Sequence, residues 1–471
     1  KNQQIRQDTC GKTIAMIIIF YFIAFLLGYL TISLLVSDKI KIQTTLRACL
    51  SLGLGLGLCA LLTFLSFLIF NKYSPVIIIL LYLAAIAFLL FININKLKKN
   101  IKDIFPGHSA LKNIRSKDIL AFTLWGTLIV CIFLVAKRLP FGRWDAWALY
   151  NMKTKFLLFS GSWKDIFRLH WHTQPGYPLL LPFINASAYS FAQKTINSVC
   201  FSTAILLSFS CGLLLFGSLK QFTRSSIAFI GSTLLLTNPV YLSLSTAQYA
   251  DILLAFYLLA SITTIIITLQ TKDKGFAVLS GLFLGLMTFT KNEGIVFCLI
   301  LFGLTCLNII IFNKDAFRSR FKIPAYLLIG LAATAIFTIV FKLFLAPPNP
   351  DIFPANVSNA SMEFLNFKGL MIVVNFTLKE IVYKGWCFIW PLMIIMFAGN
   401  PMKFFRKESS LISVFFICYL LILLFIYLTT INFDLTWRLT STLQRILFYL
   451  LPSALFLGFF AHWRRNDTEQ E

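Results

Sequence analysis

Long apolar stretches recur along the whole chain, separated by short polar breaks. They fall at 13–37, 48–70, 74–94, 119–137, 199–218, 226–247, 251–269, 276–290, 294–312, 323–346, 381–399, 410–430 and 442–462. About twenty apolar residues cross the hydrocarbon core as a helix. Lipid admits only structures that satisfy their own backbone hydrogen bonds. The pattern therefore predicts an all-α polytopic membrane protein with about thirteen transmembrane helices.

The polar breaks differ in kind. Those at 95–118, 219–225 (Lys220, Arg224), 270–275 (Lys272, Lys274), 313–322 (Lys314, Arg318, Arg320, Lys322) and 400–409 (Lys403, Arg406, Lys407) are basic, as is Arg464–Arg465 after the last stretch. Basic loops stay on the cytoplasmic side. Counting crossings from them places 138–176 outside and leaves one crossing, 199–218, before the next basic loop. The apolar piece 177–191 is then surplus. It is short and carries Pro178 and Pro182, so it is expected to dip into the membrane and return, or to lie under the outer loop. The same count puts Lys1 outside, although Lys1, Arg6 and Lys12 are basic. Three regions follow. Residues 1–118 hold the first helices and a basic loop, 119–312 a catalytic core with outer loop 138–198, and 313–471 the last helices with outer loop 347–380, expected as a lid.

Composition agrees with this class. The chain has 471 residues, 58% hydrophobic and 13% charged, with a mean hydropathy of +0.81. Soluble domains carry about 25% charged residues. The formal charge of +24 fits basic loops facing anionic headgroups. No soluble domain is left to carry a nucleic-acid fold, so a nucleic-acid partner is excluded. The ten cysteines fall mostly inside apolar runs without a CxxC pair, as small hydrophobic residues do.

Sidedness sorts the unusual polar residues onto the outer face. Asp145 sits in Arg143-Trp144-Asp145-Ala146-Trp147, just past a span. A carboxylate at the interface, flanked by rings, is partly desolvated and suits a general base. The bland alternative is a solvated acid paired with Arg143. Residues 146–159 read as an interfacial helix with Trp147, Tyr150, Phe156 and Phe159 toward lipid and Asn151, Lys153 and Lys155 toward water. His172, with His170 as competitor, precedes the stiff Pro175-Gly176-Tyr177-Pro178 turn and is a candidate substrate contact. Asp251 opens a span and is either a helix cap or a functional rim acid. Lys291 and Glu293 break an apolar run, in a hairpin or as a lipid-phosphate contact oriented by Glu293. Arg438 can snorkel to headgroups. Arg445 lies a turn inside the last span, where a lone charge is costly, and calls for an anionic partner such as phosphate.

No P-loop, GxGxxG after a strand, HExxH or GxSxG is present, so a nucleotide-dependent reaction is not expected. Acids clustered at one face favour an enzyme. A transporter or flippase would place charges at mid-membrane on broken helices within inverted repeats. A non-catalytic scaffold would leave the outer polar residues dispensable.

The chain resembles the multi-spanning GT-C-type glycosyltransferases, the superfamily of protein mannosyltransferases and the lipid A aminoarabinose transferase, and bacterial relatives among them. The resemblance rests on WDAWALYNMKTKFL at 144–157, YPLLLP at 177–182, QYADILLAFY at 248–257, GLFLGLMTFTKNEG at 281–294 and WRLTSTLQRIL at 437–447. It implies an integral enzyme of the bacterial plasma membrane, with its site facing the periplasm or exterior. Such an enzyme transfers a sugar from a polyprenyl-phosphate donor to a glycan, lipid or protein acceptor, usually with inversion. It implies a catalytic aspartate at Asp145 and a second rim acid at Asp251. Where the family often has an acid before the Tyr-Pro, this chain has Gly176, and His172 is the candidate substitute. Trp144, Tyr177 and Glu293 complete the expected substrate contacts, with Lys291, Arg438 and Arg445 stabilising the departing phosphate. No cofactor is required, and a divalent metal bridging Asp145 and Asp251 is an option that no ligand spacing demands.

Overall fold

A computed structural model describes residues 2–104, 116–170, 173–193, 196–312, 320–347, 367–429 and 435–465. Among them no strand occurs, and the chain is all-α as the apolar pattern requires. The helices are α1 (Asn2–Leu35), α2 (Thr44–Phe70), α3 (Pro75–Ile104), α4 (Ser116–Arg138), α5 (Asn151–Phe159), α6 (Leu180–Ala192), α7 (Ile196–Phe222), α8 (Ser225–Thr237), α9 (Pro239–Ser245), α10 (Asp251–Thr271), α11 (Lys274–Thr288) and α12 (Asn292–Phe312). There follow α13 (Lys322–Val340), α14 (Phe367–Tyr383), α15 (Ile389–Gly399), α16 (Pro401–Phe404), α17 (Glu408–Thr429) and α18 (Leu435–Trp463). A π-helical turn, Ala146–Tyr150, leads into α5, and another, Phe341–Leu345, ends α13.

Nine helices among the described residues are long and apolar enough to cross a membrane, or ten if α8 and α9 form one span. The apolar pattern predicts about thirteen. The stretch 226–247 is two helices bent by 67°, because Pro239 has no N–H to continue α8 and instead starts α9 behind the Asn238 cap. The stretch 381–399 is also no single helix. Part of the expected outer loop 347–380 is α14, and Gly385, Cys387 and Phe388 then turn the chain in left-handed conformations before the 11-residue α15. Residues 348–366 of the expected lid lie outside the described residues.

α10 is the axis. Its residues from Asp251 to Thr268 are all buried, and it packs against α7, α11, α12 and α18. Lipid tails are as apolar as leucine, so close backbone approach at small residues holds such helices together. A Cβ on Gly55 of α2 would lie 1.6 Å from the Ala24 carbonyl oxygen of α1, and one on Gly281 of α11 would lie 2.1 Å from Leu327 O of α13. α6 matches the expectation for 177–191: at 13 residues it is about 20 Å long, too short to cross. It is packed among α1, α2, α5 and α7. Thr63 of α2 bonds both Tyr82 of α3 (2.5 Å) and Ser187 of α6 (2.8 Å).

The bundle has two chemically distinct ends. At one, Arg464 pairs with Glu408, the Arg465 amide donates to Phe222 O, and Lys96 Nζ donates to the carbonyls of Ser33, Leu34 and Val36. The basic breaks after α3, α7 and α18 thus share one end. α1 finishes there, so it starts at the opposite end, in keeping with the crossing count; Lys1 itself lies outside the described residues. The opposite end holds the start of α10, the α11–α12 turn and Arg445 of α18.

Candidate active site

The loop carrying Asp145 is clamped to the turn that precedes α10. Gly142 adopts φ +74°, a conformation that favours glycine, and a Cβ there would lie 2.6 Å from Ala146 Cβ and 2.7 Å from Ala247 O. The Arg143 amide donates to Ala247 O (3.2 Å), and its guanidinium bonds Ser243. Gln248 Nε2 donates to Pro140 O at 3.0 Å and its Oε1 accepts from Asn151 Nδ2 at 2.7 Å. The Asp145 amide donates to the Tyr249 hydroxyl at 3.3 Å. Asp145 is thereby brought to the mouth of α10, where Asp251 is the first residue.

Five ionised side chains meet there. Arg445 Nη1 donates to Asp145 Oδ2 (2.6 Å), while its Nε and Nη2 donate to Asp251 Oδ2 (2.9 and 2.8 Å). Lys291 Nζ donates to Asp251 Oδ1 at 2.7 Å and lies 3.1 Å from Glu293 Oε1. Arg445 rests 4.9 Å from the Tyr249 ring centroid, and Lys291 Nζ 5.4 Å from that of Tyr449, one turn further along α18. Exposure separates the two acids: the Asp145 side chain is 21% exposed and that of Asp251 only 1%. Burial opposes the charge on Lys291, but Asp251 and Glu293 outweigh it and hold the ammonium well above its usual range. Burial, with Asp145 next, raises the Tyr249 phenol.

The sequence candidates fall into place unevenly. Asp145, Asp251, Lys291, Glu293 and Arg445 form the cluster, and Tyr177 lies close enough to Arg445 to interact with its charge. Trp144, 73% exposed, stands beside the acid as an open ring. Arg438 lies about two turns before Arg445 on α18, its guanidinium 5.8 Å from the Tyr427 ring centroid. His172 lies outside the described residues, and His170 is exposed. Asp251 is an ion-pair partner and not a cap: its side chain makes no capping bond, and α10 is entered from Ala250. Gly176 stands where a larger residue would crowd, since its Cβ would meet Pro347 O at 3.1 Å.

The interfacial helix is turned relative to the sequence reading. Tyr150, Asn151 and Lys153 are buried at 2%, 7% and 1% exposure, while Trp147 and Phe159 are open. The cause is the π turn at its start, where the Asn151 amide reaches back to Ala146 O. Five residues per hydrogen-bonded step rotate the following face away from an α-helical phase. Lys153 Nζ consequently enters the protein and donates to Gln174 O at 2.6 Å. From the other side Lys342 Nζ donates to Gly176 O and to Asn292 Oδ1, both at 2.7 Å. Burial pulls the Lys153 ammonium down to about 7, and Lys342 pushes the same way.

Sequence reasoning missed Tyr249, Gln248, Lys153 and Lys342. Lys342 did carry a signal, as an isolated cation within an apolar run. Asp145 and Asp251 both turn their Oδ2 atoms to Arg445, and among the described residues no three His, Cys, Asp or Glu side chains converge.

No curated protein and no solved structure matches the chain. Residues 176–341, about a third of the sequence and including Tyr177, Asp251, Lys291 and Glu293, match the family model of dolichyl-phosphate-mannose-protein mannosyltransferase, a family of GT-C-type membrane glycosyltransferases, and this match supports a membrane glycosyltransferase.

Proposed function

We propose that the chain transfers a sugar from a polyprenyl-phosphate carrier to an acceptor hydroxyl at the outer face, inverting the anomeric carbon, with Asp145 as general base. The acceptor O–H proton passes to the Asp145 carboxylate as the oxygen bonds the anomeric carbon. The sugar–phosphate C–O bond breaks and its electron pair leaves on the phosphate. Phosphate leaves readily, so one base suffices where sugar hydrolases use two carboxylates.

The observation that carries this reading is the Arg445 bridge between an accessible and a buried acid. Asp145 is open to an incoming hydroxyl. Asp251 is not, and serves to hold Arg445 and Lys291 in place. Arg445, partly exposed at 24%, is placed to face negative charge developing on a departing phosphate. Trp144 and Tyr177 supply ring surfaces for sugar or lipid.

The test is release of free polyprenyl phosphate from a panel of polyprenyl-phosphate sugars by purified protein, with membrane extract as acceptor. The anomeric configuration of the product is read by NMR. Release with inversion is expected. Retention of configuration would remove the single-base mechanism, and silence across the panel from folded protein would remove the enzyme.

A further inference from the structure

The charges of the cluster do not explain Lys153 and Lys342. Lys291 and Arg445 already face Asp145, Asp251 and Glu293, so the cluster as it stands is acidic and unsuited to hold an anion tightly. Lys153 is buried almost completely, yet among the described residues neither it nor Lys342 forms an ion pair with a carboxylate. Both ammonium groups instead bond carbonyls of one short turn: Gln174 O for Lys153 and Gly176 O for Lys342. A buried cation without a counter-charge is costly, and two beside each other repel.

That turn stands next to the acids. Tyr177, which closes it, lies within electrostatic reach of the Arg445 guanidinium. Asn292, the second acceptor for Lys342, lies between Lys291 and Glu293 in the chain. The turn is itself held in a demanding shape, with Gln174 at φ 49° and its carbonyl also accepting the Tyr177 amide at 3.0 Å. Each ammonium has three donors. Lys153 uses one on Gln174 and Lys342 two on Gly176 and Asn292, so both have capacity left for another oxygen ligand.

We propose that Lys153 and Lys342 form a binding site for a phosphate group, separate from the acid cluster and adjoining it at Asn292 and Tyr177. A phosphate here supplies the missing counter-charge to both lysines and offers several acceptor oxygens at once. The site divides the labour of the outer end: Asp145 for the reacting hydroxyl, Arg445 for the charge that develops as the bond breaks, and the lysines for holding the phosphate. The choice of a carrier-linked phosphate as first probe rests on the function proposed above; the phosphate chemistry itself does not.

The experiment measures equilibrium binding of polyprenyl phosphate to purified full-length protein in phosphatidylcholine nanodiscs, for wild type, Lys153→Gln, Lys342→Gln, Lys342→Arg and Asp145→Asn. Glutamine keeps an N–H donor for the turn carbonyl and loses the charge, so it separates holding the turn from holding an anion. Charge-assisted hydrogen bonds are worth about 1.5–3 kcal/mol, so each glutamine variant is expected to bind about ten- to a hundredfold more weakly. Lys342→Arg is expected to bind within about threefold of wild type, since it keeps the charge. Inorganic phosphate should compete in wild type. If adding phosphatidylglycerol to the discs competes as strongly, the phosphate is that of a lipid headgroup; if it does not, the phosphate is the carrier's. Glutamine variants that bind like wild type, or polyprenol binding as tightly as polyprenyl phosphate, would overturn the proposal. Should Lys153→Gln fail to fold, the partly exposed Lys342→Gln decides alone. Asp145→Asn should bind normally, so transfer that survives in that variant sinks the base and leaves the phosphate site standing.

Discussion

Asp251→Asn should harm the fold while Asp145→Asn harms only the reaction, and the difference follows from burial. Asp251 is 1% exposed and accepts from both Lys291 and Arg445. Removing one partner of a buried ion pair typically costs 3–5 kcal/mol, because the remaining charge stays buried. Here Glu293, 3.1 Å from Lys291, and Asp145, 2.6 Å from Arg445, retain part of the compensation. The lower end applies, on the order of 3 kcal/mol, about a hundredfold in the folded-to-unfolded ratio. Asp145 is 21% exposed, and the asparagine still offers Arg445 an amide oxygen. Its substitution should cost about 1 kcal/mol or less. The assay is the thermal unfolding midpoint of both variants in detergent by tryptophan fluorescence, at one scan rate. A clear drop for Asp251→Asn and almost none for Asp145→Asn is expected. Lys291→Met added to Asp251→Asn should recover much of the loss by removing the orphaned charge. Equal midpoints for the two single variants would refute the claim that Asp251 is the buried anchor of the cluster.

Three further outcomes follow from the same geometry. Arg445→Lys should lower kcat by about tenfold or more with little change in thermal midpoint, because an ammonium cannot reproduce the fork that joins Asp145 to Asp251; kcat within twofold of wild type would remove the bridge from catalysis. Gly142→Ala should strain a left-handed residue by about 1 kcal/mol and displace Asp145, read as a loss of transfer that a fold probe does not share. For Lys153, burial lowers the folded value to about 7 from the 10.5 of the free side chain. Between those values the unfolded chain binds more protons, so stability should rise with pH across that window and level off above it. Lys153→Met should flatten that rise in a pH series of unfolding midpoints, and an unchanged slope would contradict it.

The helical class and the common location of Asp145, Asp251, Lys291, Glu293 and Arg445 were legible because lipid makes polar residues conspicuous. A charge inside an apolar run has few reasons to be there, and counting basic loops assigns it an end. The short α6 was legible from its length and two prolines. Other features depended on phase and not on composition. A π turn at Ala146–Tyr150 leaves no mark in hydropathy, yet it turned Lys153 inward. Lys342 was absorbed into an apolar run that was long enough without it. α14 carries Lys368, Lys379 and Glu380, and those charges made a helix read as loop. The pairing of Asp251 with Arg445, 194 positions apart, has no local signature. It exists because α18 packs along α10.

The most direct test of the central claim is the rate of polyprenyl-phosphate release by Asp145→Asn beside wild type, at saturating donor and with equal thermal midpoints. A general base contributes about a hundred- to ten-thousandfold, so release in the variant should fall by at least about a hundredfold while donor binding persists. Release at the wild-type rate would contradict the assignment of Asp145 as the base.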